Sequence, residues 1–191
     1  MRVNINDSCN AFWDGASINF FKAGDGCPNS AFGDVVLHEY GHGLDAALGG
    51  IIGGGYSEGF GDALSVLVLR DKIVGRDFFG SGQPLRDASE VITWPPSNPE
   101  VHFVGRIYAG FTWELTRQLL TKYGNNEDKA FAVAKDLVLG AAALNPKDIP
   151  DAVALSFQVD DDDSNPTNGT PHADQIKAAA ESRGIPVPAP F

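Results

Sequence analysis

His38-Glu39-Tyr40-Gly41-His42 constrains this chain more than any other five residues. Side chains four apart on an α-helix stand one above the other. On a helix, His38 and His42 present two ring nitrogens to one point, where a metal ion such as zinc can be held. Glu39 then lies where a carboxylate can take a proton from water activated by that ion. The pattern works only on a helix, and the flanks supply one. Asn29 or Ser30 offers an N-cap, and Asp34 suits the positive end of the helix dipole. Val35, Val36 and Leu37 give apolar faces, continued by Leu44, Ala46, Ala47 and Leu48. Gly49-Gly50 ends the run. The spacing predicts a largely buried helix over about 31–48. Two histidines on one helix face also occur without a metal. Buried histidines need partners, however, and that favours the metal reading.

The chain has 191 residues, 43% of them hydrophobic, enough for one domain with a buried core. It reads as a single unit over 1–191, with a β edge region over 1–30 and a helical lobe over 31–191. A formal net charge of -11 argues against nucleic acid and anionic membranes as partners. No apolar run is long enough to span a bilayer. A monomer is expected. Met1-Arg2-Val3-Asn4-Ile5-Asn6 has the character of a strand and not of a signal peptide. A signal and a propeptide are therefore expected upstream, and the protein is expected outside the cell. Cys9 and Cys27 can close a loop of about twenty residues worth about 3 kcal/mol, which suits an oxidising compartment. Two free buried thiols are the alternative.

Strand formers fill residues 1–22, with a hairpin signal at Asp14-Gly15. After the motif helix come a glycine-rich link and a helix from Glu58 to about Lys72, with Ser57 as its expected cap. Residues 74–100 are rich in Gly and Pro and read as an irregular functional loop. Further helices are expected over about 101–123, 127–144, 148–158 and 171–183, the last capped by Thr170 with Pro171 in its first turn. Strands first and helices after define an α+β chain, a small antiparallel sheet or hairpin followed by a mostly helical lobe.

A catalytic zinc takes three protein ligands and leaves a fourth position open. A histidine six residues after His42 would complete one known set, but that position is Leu48. Glu58 and Asp62 lie four apart on the second helix. Glu58 is the expected third ligand, and Asp62 is placed to accept the outer N–H of His38 and fix its orientation. Alternatively, Glu58 only complements the helix dipole.

These residues resemble the gluzincin metalloproteases of the thermolysin and fungalysin type. Asn10-Ala11-Phe12-Trp13-Asp14-Gly15 is similar to the family's edge strand, and Asp34 to His42 to its zinc helix. Gly55-Tyr56-Ser57-Glu58-Gly59-Phe60-Gly61-Asp62 looks closer to fungalysins, and Leu85-Arg86 and Val101-His102 match two further stations. The likeness covers about the first 120 residues. It implies a zincin-like catalytic domain, a secreted zinc endopeptidase acting on peptides or proteins. His38, His42 and Glu58 would bind zinc, and Glu39 would be general base. His102 would stabilise the transition state. Arg86 would hydrogen-bond a substrate carbonyl, and Asn10 and Ala11 would pair with substrate as an added strand.

The chain departs from the pattern in places. The aspartate that orients the catalytic histidine in thermolysin is Ser97 here, which leaves Glu100 or another acid for the task. Tyr56 is the one tyrosine near the station of the family's oxyanion donor. These departures support a second reading, a catalytically silent peptide-binding module. An aminopeptidase is disfavoured, because its Gly-x-Met-Glu-Asn signature is absent. Asp160, Asp161, Asp162 and Asp163 form a candidate calcium loop, with a solvated acidic turn as the alternative. His172 is expected to serve the last helix structurally.

Overall fold

The computed structural model describes residues 1–189. Three short strands come first: β1 (Arg2–Ile5), β2 (Ala11–Trp13) and β3 (Ile18–Phe21). The β2–β3 hairpin is antiparallel and turns where expected, with the Asp14 carboxylate accepting the Ala16 and Ser17 amides. β1 joins β3 in parallel, so the sheet has the order β1-β3-β2 and is mixed. A Cys9–Cys27 disulfide closes the loop that holds the hairpin.

Six helices follow: α1 (Gly33–Leu48), α2 (Gly54–Leu69), α3 (Val101–Lys122), α4 (Glu127–Ala143), α5 (Ile149–Asp160) and α6 (Ala173–Ser182). The α+β class is as expected. Their apolar faces meet in one core built on Phe60, Leu67, Ile107, Phe111, Phe157 and Ile176, each almost fully buried. A smaller cluster of Ala11, Phe20, Val35 and Phe78 joins the sheet to α1.

Between α2 and α3 the stretch expected to be irregular contains a second hairpin, β4 (Ile73–Arg76) with β5 (Pro84–Asp87). Each strand has only four residues, and Gly75 sits inside one, so no period-two pattern could develop. Asp34 holds this hairpin: its carboxylate accepts the Gly75 and Arg76 amides, tying β4 to the first turn of α1.

The helix starts differ from expectation. α1 begins after Phe32 without a side-chain cap, because the Ser30 hydroxyl accepts the Phe21 amide instead. α2 begins at Gly54, so Ser57 lies inside the helix and is free for another task. α6 begins after His172, and the Thr170 hydroxyl donates to Asp160.

Two glycine contacts bring the site together. A Cβ on Gly41 of α1 would fall 2.7 Å from the Gly61 Cα of α2. A Cβ on Gly105 of α3 would fall 2.7 Å from the Gly59 nitrogen of α2. Both are closer than real Cβ atoms come, so α1, α2 and α3 pack backbone to backbone at these points.

Candidate active site

The glycine contact between α1 and α2 sets His38 against the second helix. His38 Nδ1 lies 2.7 Å from Asp62 Oδ1. An ionised carboxylate can only accept, so His38 donates from Nδ1, which leaves Nε2 for a metal ion or a second proton. That Nε2 is 3.2 Å from Glu58 Oε2 and 3.2 Å from His42 Nε2. His42 Nε2 is 3.6 Å from Glu58 Oε1. Arg86 of β5 braces Asp62 from the far side, with Nε 2.7 Å from Oδ2 and Nη2 2.8 Å from Oδ1. The sequence expectation that Asp62 orients His38 corresponds to this geometry. Arg86 adds an ion pair with one hydrogen bond, from Nη2, that the sequence did not foretell.

A metal ion, or a second proton on His38, satisfies acceptor atoms that face one another at such range. The electrostatics reflect this. Burial opposes a charge on His38, but the Asp62 and Glu58 carboxylates outweigh it and raise the ring to about 9. Burial and the neighbouring His38 hold His42 below its usual range. Burial opposes the charge on Glu58, yet hydrogen bonding and the charges of the three histidines around it hold it below the usual carboxylate range. Glu58 Oε2 is buried without a hydrogen bond of good geometry. Two imidazole nitrogens and one carboxylate, all within 4.8 Å, form a donor set suited to zinc, with the side toward the cleft left open.

Glu39 is buried beside this group and lines the same cleft. Burial and the Glu58 charge push its carboxyl up, while the charges of His38 and Arg86 and the Trp13 main-chain amide moderate the rise. His102, in the first turn of α3, faces the group from the opposite wall, its Nε2 3.4 Å from Glu58 Oε2. Its Nδ1 meets Glu100 Oε1 at 2.6 Å. Glu100, and not Ser97, is thus the residue that holds the His102 ring. The same carboxylate is the N-cap of α3, accepting the His102 and Phe103 amides. The His102 ring and these amides hold Glu100 down to about 2.

The cleft has a volume of about 910 Å³ and apolar walls that include Phe12, Trp13, Phe78, Phe79 and Phe103. Asn10, Ala11 and Arg86 line it as expected. β2 is an outer strand of its sheet, so one of its edges has no neighbouring strand.

Two candidates fall away. Tyr56 is buried against Tyr108 in the helical core and does not line the cleft. Asp160 stands apart from the acidic tract: its carboxylate takes the Thr170 hydroxyl, the His172 amide and the His172 ring. Asp161, Asp162 and Asp163 do bring carboxylate oxygens within 4.8 Å of one another. Sequence reading missed Asp45 and Ser57, which stand behind His42. Asp45 has no periodic signal of its own, and Ser57 carried the signature of a cap.

No model of a protein family matches the chain. It is similar to Extracellular metalloproteinase 5 of Arthroderma otae, 27% identical over 189 aligned residues that cover 79% of this chain and 30% of that protein. It is also similar to Extracellular metalloproteinase 10 of Coccidioides posadasii, 29% identical over 134 residues covering 54% of this chain and 20% of that protein. The chain spans less than a third of the length of these relatives. These relatives are named extracellular metalloproteinases, which suggests a metalloprotease for this chain, and the likeness stops at that level. Among the described residues, no helix is long and apolar enough to cross a membrane.

Proposed function

We propose that this chain carries the active site of a secreted zinc endopeptidase of the thermolysin and fungalysin kind. One observation carries the reading. Acceptor atoms of His38, His42 and Glu58 converge on the floor of a cleft that also holds Glu39 and His102.

His38, His42 and Glu58 hold the ion. When bound, zinc acts as a Lewis acid on a substrate carbonyl and makes a water molecule acidic near neutral pH. Glu39 would take a proton from the attacking water as its oxygen adds to the carbonyl carbon. It would pass that proton to the amide nitrogen as the carbon–nitrogen bond breaks, leaving a carboxylic acid and an amine, and the acid then loses its own proton to the amine or to solvent. The raised affinity of Glu39 for a proton suits both halves of this transfer. His102, held at Nδ1 by Glu100, would in its doubly protonated form donate from Nε2 to the oxygen on which negative charge develops, a contribution of about 3 kcal/mol. Arg86 keeps donors beyond those spent on Asp62 and offers one to a substrate carbonyl. The free edge of β2 at Asn10 and Ala11 takes the peptide as an added strand, through main-chain hydrogen bonds that demand no particular sequence.

The test is Glu39→Gln with a quenched peptide substrate and a zinc assay. Loss of hydrolysis by about 10²–10⁴-fold with zinc retained is expected. Unchanged hydrolysis would sink the mechanism. The burial of Tyr56, which removes one oxyanion donor, favours a second reading: a silent peptide-binding module. Wild-type protein that binds zinc and peptide but never cleaves would decide for that module.

A further inference from the structure

We infer that Asp45 and Ser57 are positioning residues that set the tautomer of His42 and couple it to the link between α1 and α2. The inference draws on the metal site proposed above for its second measurement only.

Asp45 lies three residues after His42 on α1 and is 7% exposed. A buried carboxylate is costly unless hydrogen bonds satisfy it. Its two oxygens have two different partners. Oδ2 accepts the Ser57 hydroxyl at 2.8 Å. Oδ1 accepts the Ile51 amide, in the glycine-rich link that joins α1 to α2. The Asp45 main-chain carbonyl also accepts the Gly50 amide, so one residue clamps the link twice.

Proton counting then fixes the direction of the remaining bond. The Ser57 hydroxyl has one hydrogen, and the carboxylate, which can only accept, receives it. Toward His42 Nδ1, 3.2 Å away, Ser57 Oγ can therefore only accept. His42 carries its proton on Nδ1, and its Nε2 lone pair points at Glu58 and His38. His38 has its Nδ1 proton held by a direct bond to Asp62. The two rings are thus set by different devices: one by a carboxylate, the other by a hydroxyl that relays a carboxylate. The relay also ties the orientation of His42 to the shape of the link.

Long-range proton–nitrogen NMR at about pH 8, where a free imidazole is neutral, reads the tautomer directly. Competition with a chromogenic chelator reads zinc affinity. Wild-type His42 is expected as the Nδ1–H form. Ser57→Ala should mix the tautomers and weaken zinc affinity about 10–100-fold. Asp45→Ala should do the same, and the double variant should be no worse than either single one, because both break one chain of bonds. Ser57→Thr, which restores a hydroxyl, should recover the wild-type form. His38 should stay unchanged throughout. An Nε2–H form of His42 in the wild type would overturn the inference. So would a Ser57→Ala protein with unaltered tautomer and affinity, or losses that add in the double variant. A merely structural role would lower the melting temperature and leave the His42 tautomer alone. If the wild type binds no zinc, the metal reading falls, and the tautomer measurement still decides the relay.

Discussion

Two histidine–aspartate pairs lie in the helical lobe, one between α1 and α2 and the other between α5 and the start of α6. His38 meets Asp62 at 2.7 Å and His172 meets Asp160 at 2.5 Å, both largely buried. In each pair the carboxylate takes the Nδ1 proton. The difference lies at the other ring nitrogen. His172 Nε2 meets the Tyr123 hydroxyl, a group that can donate, so the pair is closed and complete. His38 Nε2 meets a carboxylate and another imidazole, acceptors that a metal ion or a second proton on His38 would satisfy. The first arrangement is a bolt joining α3, α5 and α6. The second leaves the ring nitrogen facing the group that could hold a metal ion. A buried histidine–carboxylate pair therefore says little by itself, and the far nitrogen decides what the pair is for.

The sharpest way to break this contrast is to remove each ring. His38→Ala should abolish tight zinc binding, whereas His172→Ala should keep it and lose about 1–3 kcal/mol of stability from the unpaired Asp160 and Tyr123. Zinc content after dialysis, read beside thermal melting, separates the two; equal loss of zinc would refute the distinction. Next in size, His102→Ala should lower kcat by about 10²–10³-fold with KM little changed, since it acts on charge that develops in the transition state. A change confined to KM would remove His102 from that role. Gly61→Ala places a methyl 2.8 Å from His38 Nδ1 and should cost about 1–3 kcal/mol, with weaker zinc binding. Gly33→Ala, with open space around its Cβ, should stay within about 0.5 kcal/mol in the same melts.

The smallest effect concerns Glu100, whose carboxyl is held at about 2 against an ordinary 4.5. A depressed carboxyl stabilises the fold above its free value, and that gain is lost as pH falls through the folded one. The melting temperature of the wild type should exceed that of Glu100→Gln by a constant margin above about pH 5. The margin should shrink from pH 4.5 toward pH 2. A margin that persists at the acid end would mean that Glu100 acts through packing and not through its charge.

Much of the metal group was legible because it is local. His38, His42, Glu58 and Asp62 follow helical spacing, and helical spacing survives in a bare sequence. What was hidden depends on where helices begin and on what crosses between them. Ser57 looked like a cap because Gly54 gives no sign of starting a helix. Asp45 had no motif to announce it, and Glu100 serves both a helix start and a side chain two residues on. The β4–β5 hairpin was masked by glycine, proline and four-residue strands. Asp160 read as one of four adjacent acids, and only the folded chain shows it spent on His172.

The contact of Gly41 with Gly61 has a consequence for how the chain can vary. A Cβ on Gly41 would fall 2.7 Å from the Gly61 Cα, and a Cβ on Gly61 2.8 Å from His38 Nδ1. Any larger residue at either position would therefore have to push α1 and α2 apart or turn the His38 ring. The distance between the two helices that carry His38, His42 and Glu58 is thus tied to two residues that bear no functional group.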